Sequence, residues 1–170
     1  MKKYRLYYDK DKEIAWLNKM CDRGYAMKKF VMGMYFFEPC EPGQYRYQID
    51  LLPEGNAEIT QFLDLMREIG IEVVDTWVAW VYLRRDSAQG EFELYSDTAG
   101  KIAQYSRISK FFSVFLVVEL LVGIVNVLLG IQDKSISNIA TGGLCVVIGL
   151  VFARVIYLCQ KKIKKYLTEI

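Results

Sequence analysis

One carboxylate stands inside an apolar stretch of this chain: Glu119, in the run from Phe111 to Ile131. A carboxyl group in hydrocarbon costs ~2.5–3.5 kcal/mol on insertion scales, so such a residue has to be held by something. Arg154, in a second apolar run from Ile139 to Cys159, is the obvious partner. Depth allows the pair, since the two residues differ by roughly 4.5 Å along the helix axes. Orientation opposes it, because Arg154 lies about 120° around its helix from the small residues that would face the first run. Its long stem can instead reach the headgroups. Three roles therefore stay open for Glu119: an ion pair, a hydrogen-bonded packing carboxyl, and part of an ion or substrate path.

Elsewhere the chain offers little reactive chemistry. Histidine is absent, which removes the commonest metal ligand and the commonest general base at neutral pH. Asp9, Asp11, Glu13, Asp64 and Glu68 fall on segments that read as solvated, and no glycine-rich phosphate loop accompanies them. Cys21, Cys40, Cys145 and Cys159 show no C-x-x-C spacing, so disulfides are not expected and Cys21 reads as a core residue. The expectation is a protein without catalytic residues, metal or cofactor.

The elements that would carry Glu119 and Arg154 are two membrane spans, 111–131 and 139–159, each near the roughly 20 residues that cross a bilayer. The short segment 132–138 between them permits only a helical hairpin with a turn outside the cytoplasm. Glu119, Gly123, Asn126 and Gly130 share one face of the first span, and Gly142, Cys145, Gly149 and Ala153 share one face of the second. Such stripes allow close backbone approach in lipid, so the two are expected to face each other or to mediate an oligomer. Lys161, Lys162, Lys164 and Lys165 follow the second span in a basic tail, 160–170, suited to anionic headgroups. With Lys101, Arg107 and Lys110 before the first span, they place both termini in the cytoplasm. No apolar run precedes Phe111, so no export of the N-terminal part is expected.

That part, residues 1–96, reads as a cytosolic α+β domain. Up to Lys110 the chain has 16 basic and 17 acidic residues, which gives no field for a nucleic acid. Lys3 to Tyr8 reads as a strand, and Asp11 to Arg23 as a helix with Ile14, Leu17 and Cys21 on one side and Gly24 as its stop. Phe30 to Phe37 and Tyr45 to Leu51 read as strands around a turn rich in proline and glycine. Ile59, Phe62, Leu63, Met66 and Ile69 form the stripe of a second helix, Ile71 to Arg84 is again strand-like, and Gly90 to Tyr95 reads as a short returning strand. The order β-α-β-β-α-β is the ferredoxin-like pattern.

In that topology the first and third strands are neighbours, and Arg5, Tyr7, Arg46, Gln48 and Asp50 share the open face of the sheet. Such a face is either merely solvated or a contact for a partner protein or a small ligand. From Asp97, a good N-cap, residues 97–110 continue at helical spacing into the first span, which would couple the domain to the membrane; Gly100 weakens that helix by about 1 kcal/mol.

Trp16, Leu17 and Asn18 with Met20, Gly24 and Tyr25, then Phe37, Glu38 and the run Gly43 to Asp50, then Glu93 to Asp97 with Lys101, resemble an uncharacterised family of Firmicute membrane proteins. The resemblance implies a cytosolic domain ahead of transmembrane helices, and genes that lie beside those of PadR-type transcriptional regulators. It implies regulation at the membrane and carries over no catalytic residue. Two functions are expected on these grounds: a membrane-anchored regulatory or sensing protein that binds a protein partner, or an accessory or protective subunit of a membrane complex such as an exporter.

Overall fold

A computed structural model of the chain describes residues 1–168; the last two residues of the expected basic tail, 160–170, lie outside the described part. The chain forms two compact units, Met1–Ser96 and the stretch from Asp97 onward.

The first unit is α+β. Its elements are β1 (Lys2–Tyr4), α1 (Lys10–Cys21), β2 (Tyr25–Val31), β3 (Met34–Pro39), β4 (Tyr45–Leu51), α2 (Asn56–Glu68), β5 (Glu72–Trp77) and β6 (Trp80–Asp86). Asp9 caps α1 by accepting from the Asp11 backbone N–H at 3.1 Å, and Asp11 places an acidic side chain at the positive end of the helix dipole. The helix stops where Gly24 takes φ +82° and its N–H donates to the Cys21 carbonyl at 2.8 Å.

The element order departs from β-α-β-β-α-β at two places, because two runs expected as single strands are each folded into a hairpin. Phe30 to Phe37 turns at Met32 and Gly33, both left-handed (φ +47° and +81°), and the run from Ile71 to Arg84 turns at Val78 (φ +56°). Left-handed turns of this kind favour Asn-Gly or Asp-Gly. Here they are built from Met-Gly and Val-Ala, so the residue types conceal them. A corresponding change occurs at Gly90 to Tyr95, which forms no strand; Phe92 is buried there and the Tyr95 hydroxyl donates to Asp50 at 2.8 Å.

The result is two antiparallel three-stranded sheets, ordered β1-β3-β2 and β4-β6-β5. They are the same β-α-β-β unit used twice. Helix starts Lys10 and Asn56, stop glycines Gly24 and Gly70, and turn residues Met32 and Val78 all stand 46 positions apart (56 − 10, 70 − 24, 78 − 32). The β-bulges agree as well, at Met27/Lys29 in β2 and at Val73/Asp75 in β5. Leu17 and Leu63, and Met20 and Met66, keep the residue type at this spacing. The two sheets meet along β2 and β5 without a shared ladder: the Phe30 N–H donates to the Asp75 carboxylate at 2.7 Å, and Arg84 donates to the Met27 carbonyl at 3.3 Å.

The second unit is a helical hairpin of α3 (Thr98–Gln132) and α4 (Ile136–Leu167). The Asp97 side chain accepts from the Gly100 N–H at 3.1 Å, and α3 then runs without interruption through Gly100 and Lys110 into the apolar stretch. Its 35 residues span roughly 52 Å at the helical rise, against about 30 Å of hydrocarbon. Windows within the two helices reach mean hydropathy 2.7 and 2.2 with 11% and 22% of residues buried, so both are long and apolar enough to cross a membrane. Outside the apolar part the hairpin continues with polar and aromatic contacts, Gln160 donating to Ser109 at 3.2 Å and Tyr105 meeting Tyr166 at 6.0 Å.

Glycines set the closeness of the two helices. A Cβ at Gly142 would meet Val127 and lie 3.1 Å from the Gly123 carbonyl oxygen, whereas one at the adjacent Gly143 would meet nothing within 4 Å. Gly142→Ala is therefore expected to lower the thermal midpoint of the protein in mild detergent, by an overpacking cost of about 1–3 kcal/mol, while Gly143→Ala leaves it unchanged.

Candidate functional site

The residues expected on one open sheet face are not brought together. β1 pairs with β3 and β4 with β6, so the two strands carrying them belong to different sheets. Asp50 is fully buried, accepting from the Leu51 N–H and the Tyr95 hydroxyl, each at 2.8 Å. Gln48 donates to the Phe92 carbonyl at 2.7 Å. The segment around Phe92 to Tyr95 thus covers the part of the face expected to be open. Arg46 pairs with Asp22 at 2.8 Å. Arg5 and Tyr7 do stay together, the guanidinium donating to the Tyr7 hydroxyl at 3.0 Å.

Within the hairpin, Glu119 and Arg154 form no ion pair. The Arg154 guanidinium lies 5.4 Å from the Tyr157 ring centroid, as its position off the facing stripe requires, and the Glu119 carboxyl is instead a neighbour of the Cys145 thiol across the hairpin. Gly123 and Gly149 point across the same interface, where added Cβ atoms would lie 3.1 Å from Cys145 and 3.4 Å from Leu116. Asn126 donates to the Val122 carbonyl one turn back at 2.8 Å. Glu119, Gly123, Val127 and Val146 line a recess of about 210 Å³. Lys161, Lys164 and Lys165 are exposed near the end of α4, and Lys162 is half-buried.

The most organised chemistry in the first unit surrounds Glu13, a residue expected on a solvated segment. Glu13 is 9% exposed. It precedes Leu17 by four residues and Met20 by seven, so it shares their face of α1. That spacing was the available signal. The Tyr35 hydroxyl from β3 donates to Glu13 Oε1 at 2.5 Å, and the Tyr82 hydroxyl from β6 donates to the same oxygen at 2.9 Å. The carboxyl therefore joins the first β-α-β-β repeat to the second. Around it the rings form a continuous wall: Trp16 on Tyr35 at 4.8 Å, Tyr35 on Phe30 at 4.7 Å, and Phe30 on Tyr82 at 5.2 Å and Trp77 at 5.4 Å. Tyr7 lies 5.8 Å from Trp16, and the Arg5 guanidinium sits 5.1 Å from the Trp16 ring.

Burial pushes the Glu13 carboxyl above the usual carboxylate range, against the two tyrosine hydrogen bonds, which favour the ionised form. Burial and the facing carboxylate also drive the Tyr35 and Tyr82 hydroxyls well above their ordinary value. Near the end of α1, Cys21 and Cys40 are free thiols with sulfurs 3.8 Å apart, and burial with the neighbouring Cys21 pushes Cys40 up to about 11.

A family model described as a protein of unknown function (DUF2812) matches residues 9–117, from the α1 cap through the first third of the apolar run of α3. The chain belongs to the DUF2812 family. No curated protein and no solved structure matches it. The DUF2812 match takes in Glu13, Trp16, Phe30, Tyr35, Trp77 and Tyr82 together with the polar start of α3, and begins after Arg5 and Tyr7.

Because the folded-state carboxyl of Glu13 binds its proton more tightly than the unfolded one, its contribution to stability is complete below the ordinary carboxylate range and falls as pH rises through the raised value. Glu13→Gln, which still accepts both hydroxyls, is expected to remove that part of the decline in a series of thermal melts between pH 4 and 9. Glu13→Leu removes the shared acceptor and leaves the two hydroxyls only each other, which is expected to cost about 1–3 kcal/mol for the proton left without an acceptor.

Proposed function

We propose that this DUF2812 protein is a membrane-anchored regulatory or sensing protein of the bacterial cell membrane, with the β-α domain and both termini in the cytoplasm, and that its domain binds a protein partner. The observation that carries this reading is an exposed apolar tip on the first sheet. Tyr4, Leu6 and Met32 are 62%, 73% and 72% exposed. Tyr4 and Leu6 come together over Gly33, where an added Cβ would lie within 3.0 Å of both, and Met32 is the next residue in the same turn. Contiguous exposed apolar groups beside an Arg and a Tyr, here Arg5 and Tyr7, have the composition of a protein contact. A cytosolic regulator of the PadR type is the first candidate partner. The unbroken α3 supports transmission between domain and bilayer, because a continuous helix moves as one rod, and the lysines after the apolar part of α4 support the orientation.

The recess beside Glu119 favours a second reading, in which the hairpin seats a helix of a larger membrane complex as an accessory or protective subunit. Gly123 and Gly149 face inward, so a photocrosslinker at Val146, on the recess, distinguishes the two: a foreign membrane protein is captured under the second reading, and lipid or a hairpin product under the first.

The partner reading is tested by mild-detergent capture of the tagged full-length protein from membranes. A cytosolic regulatory protein is expected to follow the wild type and to be lost with the double substitution Leu6→Asp and Met32→Asp, whose thermal midpoint should stay close to wild type because both side chains are solvent-facing. Capture that survives the double substitution contradicts the assigned surface.

A further inference from the structure

The duplication leaves both ends of the first unit incompletely covered. In the middle, α1 is covered on two sides: Ile14, Leu17, Met20 and Cys21 share one core with Tyr35 and Phe37 of the first sheet and with Tyr47, Ile49 and Tyr82 of the second. α2 packs on the other face of the second sheet, where Met66 meets Val81 and Leu83. Its outer stripe is bare, with Leu65 and the C-cap Ile69 50% and 53% exposed. The outer face of the first sheet is bare as well. Lys2, Phe36 and Lys29 form one row of that face across β1, β3 and β2, and Tyr4, Met34 and Val31 form the next outward row. Tyr4 and Val31 are exposed, and Met34 and Phe36 are half-buried.

The second sheet shows what covers such a face. Forty-six positions on, Val31, Met34 and Phe36 become Trp77, Trp80 and Tyr82, and the ladder puts Ile49 and Leu51 where β1 has Lys2 and Tyr4. Ile49 and Tyr82 are buried in the core that contains α1. Asn18 of α1 also closes the adjoining strand edge, accepting the Tyr47 N–H at 2.8 Å, and Asp64 of α2 stands at the matching position. The layers thus run sheet, helix, sheet, helix, with an uncovered sheet at one end and a half-covered helix at the other. Charge separates these ends too. Residues 1–44 carry nine basic and six acidic side chains, and residues 45–96 carry four basic and ten acidic. Lys2, 5.3 Å from the Phe36 ring centroid, and Lys29 flank the open sheet face, whereas Asp64 and Glu68 border the α2 stripe.

We propose that the open face of the first sheet is a docking site for α2 of a second copy of this chain. Tyr4, Val31, Met34 and Phe36 then cover Leu65 and Ile69, and Lys2 and Lys29 face Asp64 and Glu68. The two surfaces differ, so the contact is head-to-tail and extends by addition of further copies. The tip residues Leu6 and Met32 lie past the last ladder pair, so a cytosolic partner at the tip and a second copy on the face are separate contacts that share only Tyr4.

Two charge-reversed versions of the full-length protein test this: Lys2→Glu with Lys29→Glu, and Asp64→Lys with Glu68→Lys. All four side chains are exposed, so each version is expected to keep a wild-type thermal midpoint. Light-scattering mass across a concentration series in mild detergent reads self-association. Each version alone is expected to associate roughly tenfold more weakly than wild type, because like charges then meet. An equimolar mixture is expected to regain association, since each reversed surface then finds an opposite one. Contact identity is read with a short thiol crosslinker on two differently tagged copies, one with Lys29→Cys and the other with Ile69→Cys. Products joining the two tags are expected above the background of the native cysteines. A monomeric wild type, association unchanged by either reversal as it would be if α3 and α4 carried it, a mixture no stronger than its components, or crosslinks confined to like copies overturns the proposal.

Discussion

The first unit is organised by one desolvated carboxyl group shared between two copies of the same fold. Glu13 comes from α1 of the first copy, and its oxygen is held by a tyrosine from each copy, Tyr35 of β3 and Tyr82 of β6. Because the sheets touch along β2 and β5 without a common ladder, side-chain contacts have to fix one copy against the other. The Glu13 bonds, the Phe30 to Asp75 bond and the reach of Arg84 to Met27 do this. A hydrogen bond to a charged group is worth about 1.5–3 kcal/mol and one between neutral groups about 0.5–1.5 kcal/mol, so a seam that closes on Glu13 is sensitive to the charge on it.

Duplication also explains why the domain is asymmetric in chemistry while symmetric in backbone. Helix start, stop glycine, bulge and hairpin turn recur at a constant spacing, so the path of the chain is set by a few positions with special conformations. The residues between them are free to differ, and they do: one half has a carboxyl in an aromatic wall, whereas the other has Ile59 at the matching position and an apolar core of Met66, Ile71, Val81, Leu83 and Phe92. In the second unit the constraint is different. There, the close approach at Gly123, Gly130 and Gly142 lets two long apolar helices meet along their length, and the polar contacts of Ser109 and Gln160 extend the pairing past the apolar part.

Much of this was legible in the sequence. Both helices of the domain, the Asp97 cap, the apolar runs and the facing small-residue stripes follow from periodicity, capping and hydropathy. The hairpins at Met32 and Val78 were hidden because left-handed turns were built from residues that do not signal them, and a missed turn converts two strands into one and changes every neighbour relation downstream. That error placed β1 beside β4 and produced an open face from residues such as Asp50, which Tyr95 in fact covers. Glu13 was misplaced for another reason. A charged residue is read as solvent-facing by type, although its spacing from Leu17 and Met20 put it on the buried face; the tyrosines that make this tolerable lie on β3 and on β6, far along the chain.

The central claim is that the Glu13 carboxyl is desolvated at the seam of the repeats. Infrared difference spectroscopy of the protonated carboxyl band, wild type against Glu13→Gln, measures this directly as pH is raised. The account predicts a band that belongs to Glu13 and persists above the pH at which the surface carboxylates have ionised. A Glu13 band that disappears together with theirs contradicts it.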